Sequence, residues 1–298
     1  MSDAESDRNG QDRLDLVAQR RSRFRRVLMA FDPAASDAAA VDAAALLATR
    51  LEAEFKALFV EDENVLNAVQ YAVTGVFGTV SADRQAVDAV SVERALRIQT
   101  SRSRRIVEQV VSRQRLKASF EVRRGRVATE VLACGSDADL IVVGRGGRTA
   151  RKGAPPGSVA RAVLGACDRS VLLLSPRARM EGPVLVLYDG SQAAEAALLA
   201  AADIADGDGG RVAVALVAAD AEDGKISDWQ RSIARRLSAR GLRSEFVRIA
   251  AEDREIFIDL AHRWGVSVAV LSADQGLIQG QGLDRLLAGL ECSVLLVR

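Results

Sequence analysis

Gly144, Gly147, Gly157 and Ser158 are the residues of this chain whose types and spacing suit chemistry, and that chemistry is anion binding. They sit in Val143-Gly-Arg-Gly-Gly-Arg-Thr-Ala-Arg-Lys-Gly-Ala-Pro-Pro-Gly-Ser-Val159, with two residues between the first two and nine before Gly157-Ser158. Glycine lets the backbone turn sharply and approach a ligand closely. A helix opening at Gly157-Ser158 turns free N–H groups and the positive end of its dipole toward a phosphate, and the Ser158 hydroxyl adds a donor. Arg148, Arg151 and Lys152 put positive charge in the loop between. Commoner fingerprints fail: Gly144-x-Gly146 lacks the third glycine of a dinucleotide loop, and no Gly-Lys-Ser/Thr ends the stretch. The same residues would also suit a glycine-rich surface loop without a ligand.

Such a loop needs a strand before it and a helix after it. Leu140-Ile-Val-Val143 is an apolar run that reads as a buried strand, and Val159–Leu164 reads as the first turns of a helix. Upstream, Val27–Phe31 reads as a first strand ending at Asp32-Pro33, followed by a helix over Ser36–Leu51 with Ser36 as its cap. Phe55–Val60 reads as the second strand and Phe120–Arg123 as the third. Ser91–Arg113, dense in arginine with Val92, Leu96, Ile98, Ile106 and Val110 as its apolar positions, reads as a long exposed helix. Ser170–Leu174 supplies the fifth strand. Strands alternating with helices imply a doubly wound parallel α/β sheet.

After a linker at Pro176–Gly182 the pattern begins again. Pro183-Val-Leu-Val-Leu-Tyr-Asp189 mirrors Arg26-Val-Leu-Met-Ala-Phe-Asp32, and 28 positions separate Asp32 from Val60 just as 28 separate Asp189 from Val217. Ser293–Val297 mirrors Ser170–Leu174, each close behind a cysteine. The expected organisation is therefore a disordered polar tail over residues 1–23 and two tandem doubly wound domains, 24–178 and 183–298. Val60 and Phe120 lie 60 positions apart, whereas Val217 and Phe246 lie 29 apart, so the first half carries an insertion within Glu61–Val90.

Composition narrows the function classes. A net charge of +1 gives no whole-molecule signature for nucleic acid, and the basic run Arg20–Arg26 reads as a solvated lead-in. Cys134, Cys167 and Cys292 lie far apart and read as apolar fillers in a reducing compartment. His262 is the only histidine and lies far from the loop, which excludes a histidine-rich metal site and leaves no Ser–His or Cys–His pairing there. No apolar run is long enough to span a bilayer and no signal peptide opens the chain, so a cytoplasmic protein without a membrane partner is expected.

The strand–Gly-x2-Gly-x9-Gly-Ser–helix pattern resembles the nucleotide-binding motif of ATP-binding universal stress proteins, and Ala57-Leu-Phe-Val-Glu-Asp-Glu-Asn-Val-Leu looks like a variant of the tandem bacterial members. The resemblance implies a sandwich related to flavodoxins and adenine nucleotide alpha hydrolases. It implies ATP or another adenine nucleotide as ligand, with Mg²⁺ able to reach the phosphates through Asp32. Asp32 would stand near the adenosine, and the main chain at Val60 would read the adenine edge. Val143, Gly144, Gly147, Arg148, Gly157, Ser158 and Val159 would line the ribose and phosphates. Asp32 also reads as a turn residue capping the next helix. The motif departs from Asp-Gly-Ser after strand one, since Pro33 removes a backbone donor.

The second half keeps Asp189-Gly190-Ser191 but has Ser272 in place of Gly144, a shorter loop and Asp274 within it, and reads as a copy that does not bind. The resemblance further implies pairing of Ser170–Ser175 with Ser293–Val297 inside one chain, and leaves room for a homodimer. A binding and signalling role comes first. A non-binding adaptor of the same fold, or slow ATP hydrolysis, is the alternative.

Overall fold

The computed structural model describes residues 22–31, 38–64, 89–146, 155–176, 180–205, 210–217, 223–250, 253–278 and 282–298. Most of the expected insertion, the Ser36 cap and the tail to residue 21 lie outside them. The first half contains β1 (Arg26–Phe31), α1 (Ala38–Arg50), β2 (Glu54–Asp62), α2 (Ala89–Gln114), β3 (Ala118–Gly125), α3 (Val127–Gly135), β4 (Leu140–Gly144), α4 (Ser158–Ala166) and β5 (Ser170–Leu174). The second contains β6 (Val184–Tyr188), α5 (Gln192–Ala205), β7 (Arg211–Val217), α6 (Asp223–Ala239), β8 (Arg243–Ile249), α7 (Arg254–Arg263), β9 (Val268–Ser272), α8 (Gly282–Gly289) and β10 (Ser293–Val297).

The strands form one sheet in the order β3-β2-β1-β4-β5-β10-β9-β6-β7-β8. Within each half the neighbours are parallel, and β5 meets β10 antiparallel, with Val294 opposite Leu173 and Leu296 opposite Val171. The apolar runs are the cause: parallel strands covered on both faces need apolar side chains in both directions, and every residue of β5, β6, β9 and β10 is buried. Two serines close the seam. Ser293 Oγ accepts from Ser175 N–H at 3.2 Å, and Ser170 Oγ accepts from Arg298 N–H at 3.3 Å. The Ser293 hydroxyl takes up a donor that would otherwise be buried without a partner at the end of the ladder, and the Ser170 hydroxyl serves a part-buried one.

One apolar layer joins α1, α2, α5 and α6 to one face of the sheet, and a second joins α3, α4, α7 and α8 to the other. The helix over α2 differs from its sequence reading in one respect. It is not wholly exposed: Leu96, Ser103, Val107 and Val110, spaced seven, four and three apart, form a buried stripe. Ile98, another of the apolar positions, lies off that stripe and is 62% exposed.

Candidate functional site

The parallel strands β1, β2 and β4 end together at one edge of the sheet, and in open α/β sheets that edge holds ligands. Ala30 of β1 is in register with Val143, and Phe31 with Phe59, so Val60 and Gly144 sit one step past the last described residue pairs on either side of β1. With β1 between them, the two strands stand about 10 Å apart. Val60 and Val143 are buried in the layer shared with α4, and Val159 packs against the same layer. Gly144 is exposed, and a Cβ built on it would meet nothing within 4 Å. Nothing among the described residues fills the space at this Cβ.

The loop that follows is pinched at its base. Gly157 N–H donates to the Arg145 carbonyl at 2.9 Å, and Arg145 N–H donates to the Leu174 carbonyl at 2.9 Å, extending the β4–β5 pairing by one bond. Gly144 and the start of α4 are thereby held side by side. Gly157 is the cap of α4, with extended backbone (φ −61°, ψ 166°), and as a glycine it offers the helix start no side-chain bond. The first intrahelical bond runs from Arg161 N–H to the Gly157 carbonyl at 3.0 Å. The N–H groups of Ser158, Val159 and Ala160 consequently have no backbone acceptor among the described residues. Three donors at a helix start, beside an exposed strand end, are an arrangement that suits an anion.

The structure thus brings Val143, Gly144, Gly157, Ser158 and Val159 together, with Val60 at the same sheet edge. Asp32, Gly147 and Arg148 lie outside the described residues. Sequence reasoning passed over Arg145. Its side chain is 8% exposed, and its guanidinium donates to the Leu290 carbonyl just past the end of α8, so the base of the loop is tied to the other half of the chain. Burial holds this guanidinium below its ordinary range. The only signal in the sequence is an arginine between two glycines, which says nothing of where it points.

The corresponding edge of the second half is filled. Gln275, 2% exposed, accepts from Ser272 N–H at 2.9 Å and donates to the Leu187 carbonyl at 2.8 Å. It bridges the ends of β9 and β6 where a ligand would enter. Gly190 has φ +76°, and a Cβ there would fall within the Trp229 ring, which packs edge-on against Tyr188 with centroids 5.6 Å apart. The Tyr188 hydroxyl donates to Glu195 at 3.0 Å.

Burial, with Glu195 beside it, pushes the Tyr188 phenol up to about 12, and burial pushes the Cys292 thiol up to about 11. Both groups are neutral when protonated, so the unfolded chain releases their protons first as pH rises. Their stabilisation is complete below the ordinary values of 9.0 and 10.0 and is lost toward the raised ones. The melting temperature should fall between about pH 9 and 12, less steeply in Tyr188→Phe/Cys292→Ser; parallel profiles for the two proteins would refute this assignment.

A cleft of about 240 Å³ opens at the opposite edge, lined by Arg26, Lys56, Glu54, Asp137, Ser119 and Cys134 among others. Its two cations face two carboxylates, so it lacks the positive excess that a phosphate chain needs. His262 stands on α7 in the second half, 43% exposed and 3.9 Å from Glu291. Among the described residues no three His, Cys, Asp or Glu side chains converge as metal ligands, and no helix is long and apolar enough to cross a membrane.

Comparison with known proteins agrees with this architecture. The family model described as the universal stress protein family matches residues 23–175, just over half of the chain. The crystal structure of a universal stress protein from Archaeoglobus fulgidus DSM 4304 is similar over 91% of this chain and 98% of its own, with 17% identity and a TM-score of 0.65. That of a putative universal stress protein from Pseudomonas aeruginosa UCBPP-PA14 covers 94% of each chain at 17% identity and a TM-score of 0.57. At these identities the likeness is one of fold. No curated protein matches the chain in sequence.

Proposed function

The chain belongs to the universal stress protein family, and we propose that its first half holds ATP, or another adenine nucleotide, at the carboxyl edge of β1, β2 and β4. One observation carries the reading: the Arg145–Gly157 bond closes the loop while three N–H groups at the start of α4 have no backbone acceptor among the described residues, beside the exposed Gly144. A nucleotide phosphate suits those donors, the Ser158 hydroxyl and the loop arginine Arg148. Gly144 and Gly147 let ribose and phosphates lie against the backbone. The main chain at Val60 faces the adenine, with Asp32 toward the adenosine. Any Mg²⁺ would arrive on the phosphates and meet Asp32.

The role is retention rather than turnover, in a cytoplasmic stress response, with the second half as a pairing partner that holds no nucleotide. The filled edge at Gln275 and Trp229 supports that division. Protein isolated from cells and denatured should release one adenine nucleotide per chain. The emptied protein, titrated calorimetrically with ATP, should saturate at one site. A preparation without nucleotide that also gives no heat on titration overturns the reading.

A further inference from the structure

We infer that the outer face of α2 between Arg94 and Arg105 is a docking surface for an acidic helical segment of a partner protein. Between Glu93 and Glu108 the helix carries five arginines and no carboxylate. Arg104 lies over the Phe120 ring at 5.0 Å, and Arg97 reaches Glu93 only at 3.8 Å. Arg94, Arg102 and Arg105 are exposed and have no ion-pair partner among the described residues. Positions 94, 98, 102 and 105 follow the four-and-three spacing of one helix face. The row is therefore a preformed line of cations about 16 Å long, with Ile98 in its middle.

The second half supplies an internal comparison. Its helix α6 occupies the same place in the order of elements, yet most of its charges are paired: Arg231 with Asp228, Arg236 with Glu195, and Asp223 with Arg248, which leaves Lys225 over the Trp229 ring and Arg235 as its cations without an ion pair among the described residues. A row of three unpaired arginines on one face is thus found on α2 and not on α6, and is no requirement of the fold. It also belongs to a wider imbalance, since residues 1–179 hold 29 Lys and Arg against 22 Asp and Glu, while 180–298 hold 12 against 18.

Three features select a protein partner over other polyanions. The cations on the row are all arginine and surround an exposed aliphatic side chain, the composition of protein interface cores. No aromatic side chain lies on this face between Glu93 and Glu108 for bases to stack on, and those two carboxylates bracket the row, opposing a phosphate backbone that runs on past it. The apolar side of α2, with Val107 and Val110, is already packed in the core, so no apolar face is left to enter a bilayer. The complementary occupant is a helix with carboxylates at four-and-three spacing around one aliphatic residue that covers Ile98. This assignment stands independently of nucleotide binding.

The test uses the full chain and a fluorescein-labelled helical peptide bearing Glu at positions i, i+4, i+8 and i+11 around one leucine. Fluorescence anisotropy should show saturable binding, weakened about tenfold or more by Arg94→Ser/Arg102→Ser/Arg105→Ser and about fivefold by Ile98→Ser. All four side chains are exposed, so melting temperatures should not move. Three results overturn the proposal: no peptide binding, an Ile98→Ser protein that binds like the parent, or tighter binding of a dT oligonucleotide or phosphatidylserine vesicles. The last would assign the row to a phosphate polyanion.

Discussion

A Gly157→Asp protein should melt no lower than the parent and lose adenine nucleotide binding by about a hundredfold or more, roughly 2.7 kcal/mol. Both halves of that result follow from the same three N–H groups. Gly157 caps α4 with extended backbone and contributes no side-chain bond. Aspartate favours this position, its carboxylate accepting from the second or third helical N–H, and replaces glycine there at a gain of a few tenths of a kcal/mol. The carboxylate would occupy the donors at Val159 or Ala160 and place a negative charge where a phosphate would sit. Gly144→Val probes the other wall. Its Cβ meets open space, so folding is spared while the crevice narrows. Overpacking provides the control: Gly135→Ala would drive a Cβ into Ile141, costing about 1–3 kcal/mol of stability with little change in nucleotide affinity. Nucleotide affinity that survives Gly157→Asp would remove α4 from the site.

Much of this architecture is legible in the order of residues because each signal is local. Four-residue and five-residue apolar runs become strands buried on both faces, and the equal spacing behind Asp32 and Asp189 precedes the same strand order in each half. The loop glycines and Ser158 can be read for the same reason, since a strand end and a helix start have signatures a few residues long. What escapes is set by approach in space. Arg145 meets the Leu290 carbonyl across 145 positions, and Ser293 meets Ser175 across 118. Nothing near any of them in sequence marks those partners. The buried stripe of α2 escapes for a related reason: on a helix with apolar residues at many positions, only the packing of α2 against α1 and the sheet decides which of them face inward.

Gln275 is the same kind of residue, and removing its side chain should be among the costliest polar substitutions in the molecule. Its amide accepts from Ser272 N–H and donates to the Leu187 carbonyl, and all three residues are at most 3% exposed. Gln275→Ala leaves a buried donor and a buried acceptor without partners, each worth about 1–3 kcal/mol, together with a small cavity. A loss of about 3 kcal/mol in total, seen as a melting temperature lower by about 6–10 °C, is expected. Gln275→Glu should recover little, because a carboxylate still accepts from Ser272 but sets a second acceptor against the Leu187 carbonyl.

Nucleotide stoichiometry should stay at one per chain in Gln275→Ala. Opening the end of β9 does not supply what the first half has, since α8 begins with Asp284 in its first turn, which repels phosphate from that helix start. An unchanged melting temperature would show that water satisfies the two backbone groups as well as the amide does. A second nucleotide bound by the variant would show instead that Gln275 is what keeps an otherwise competent site shut.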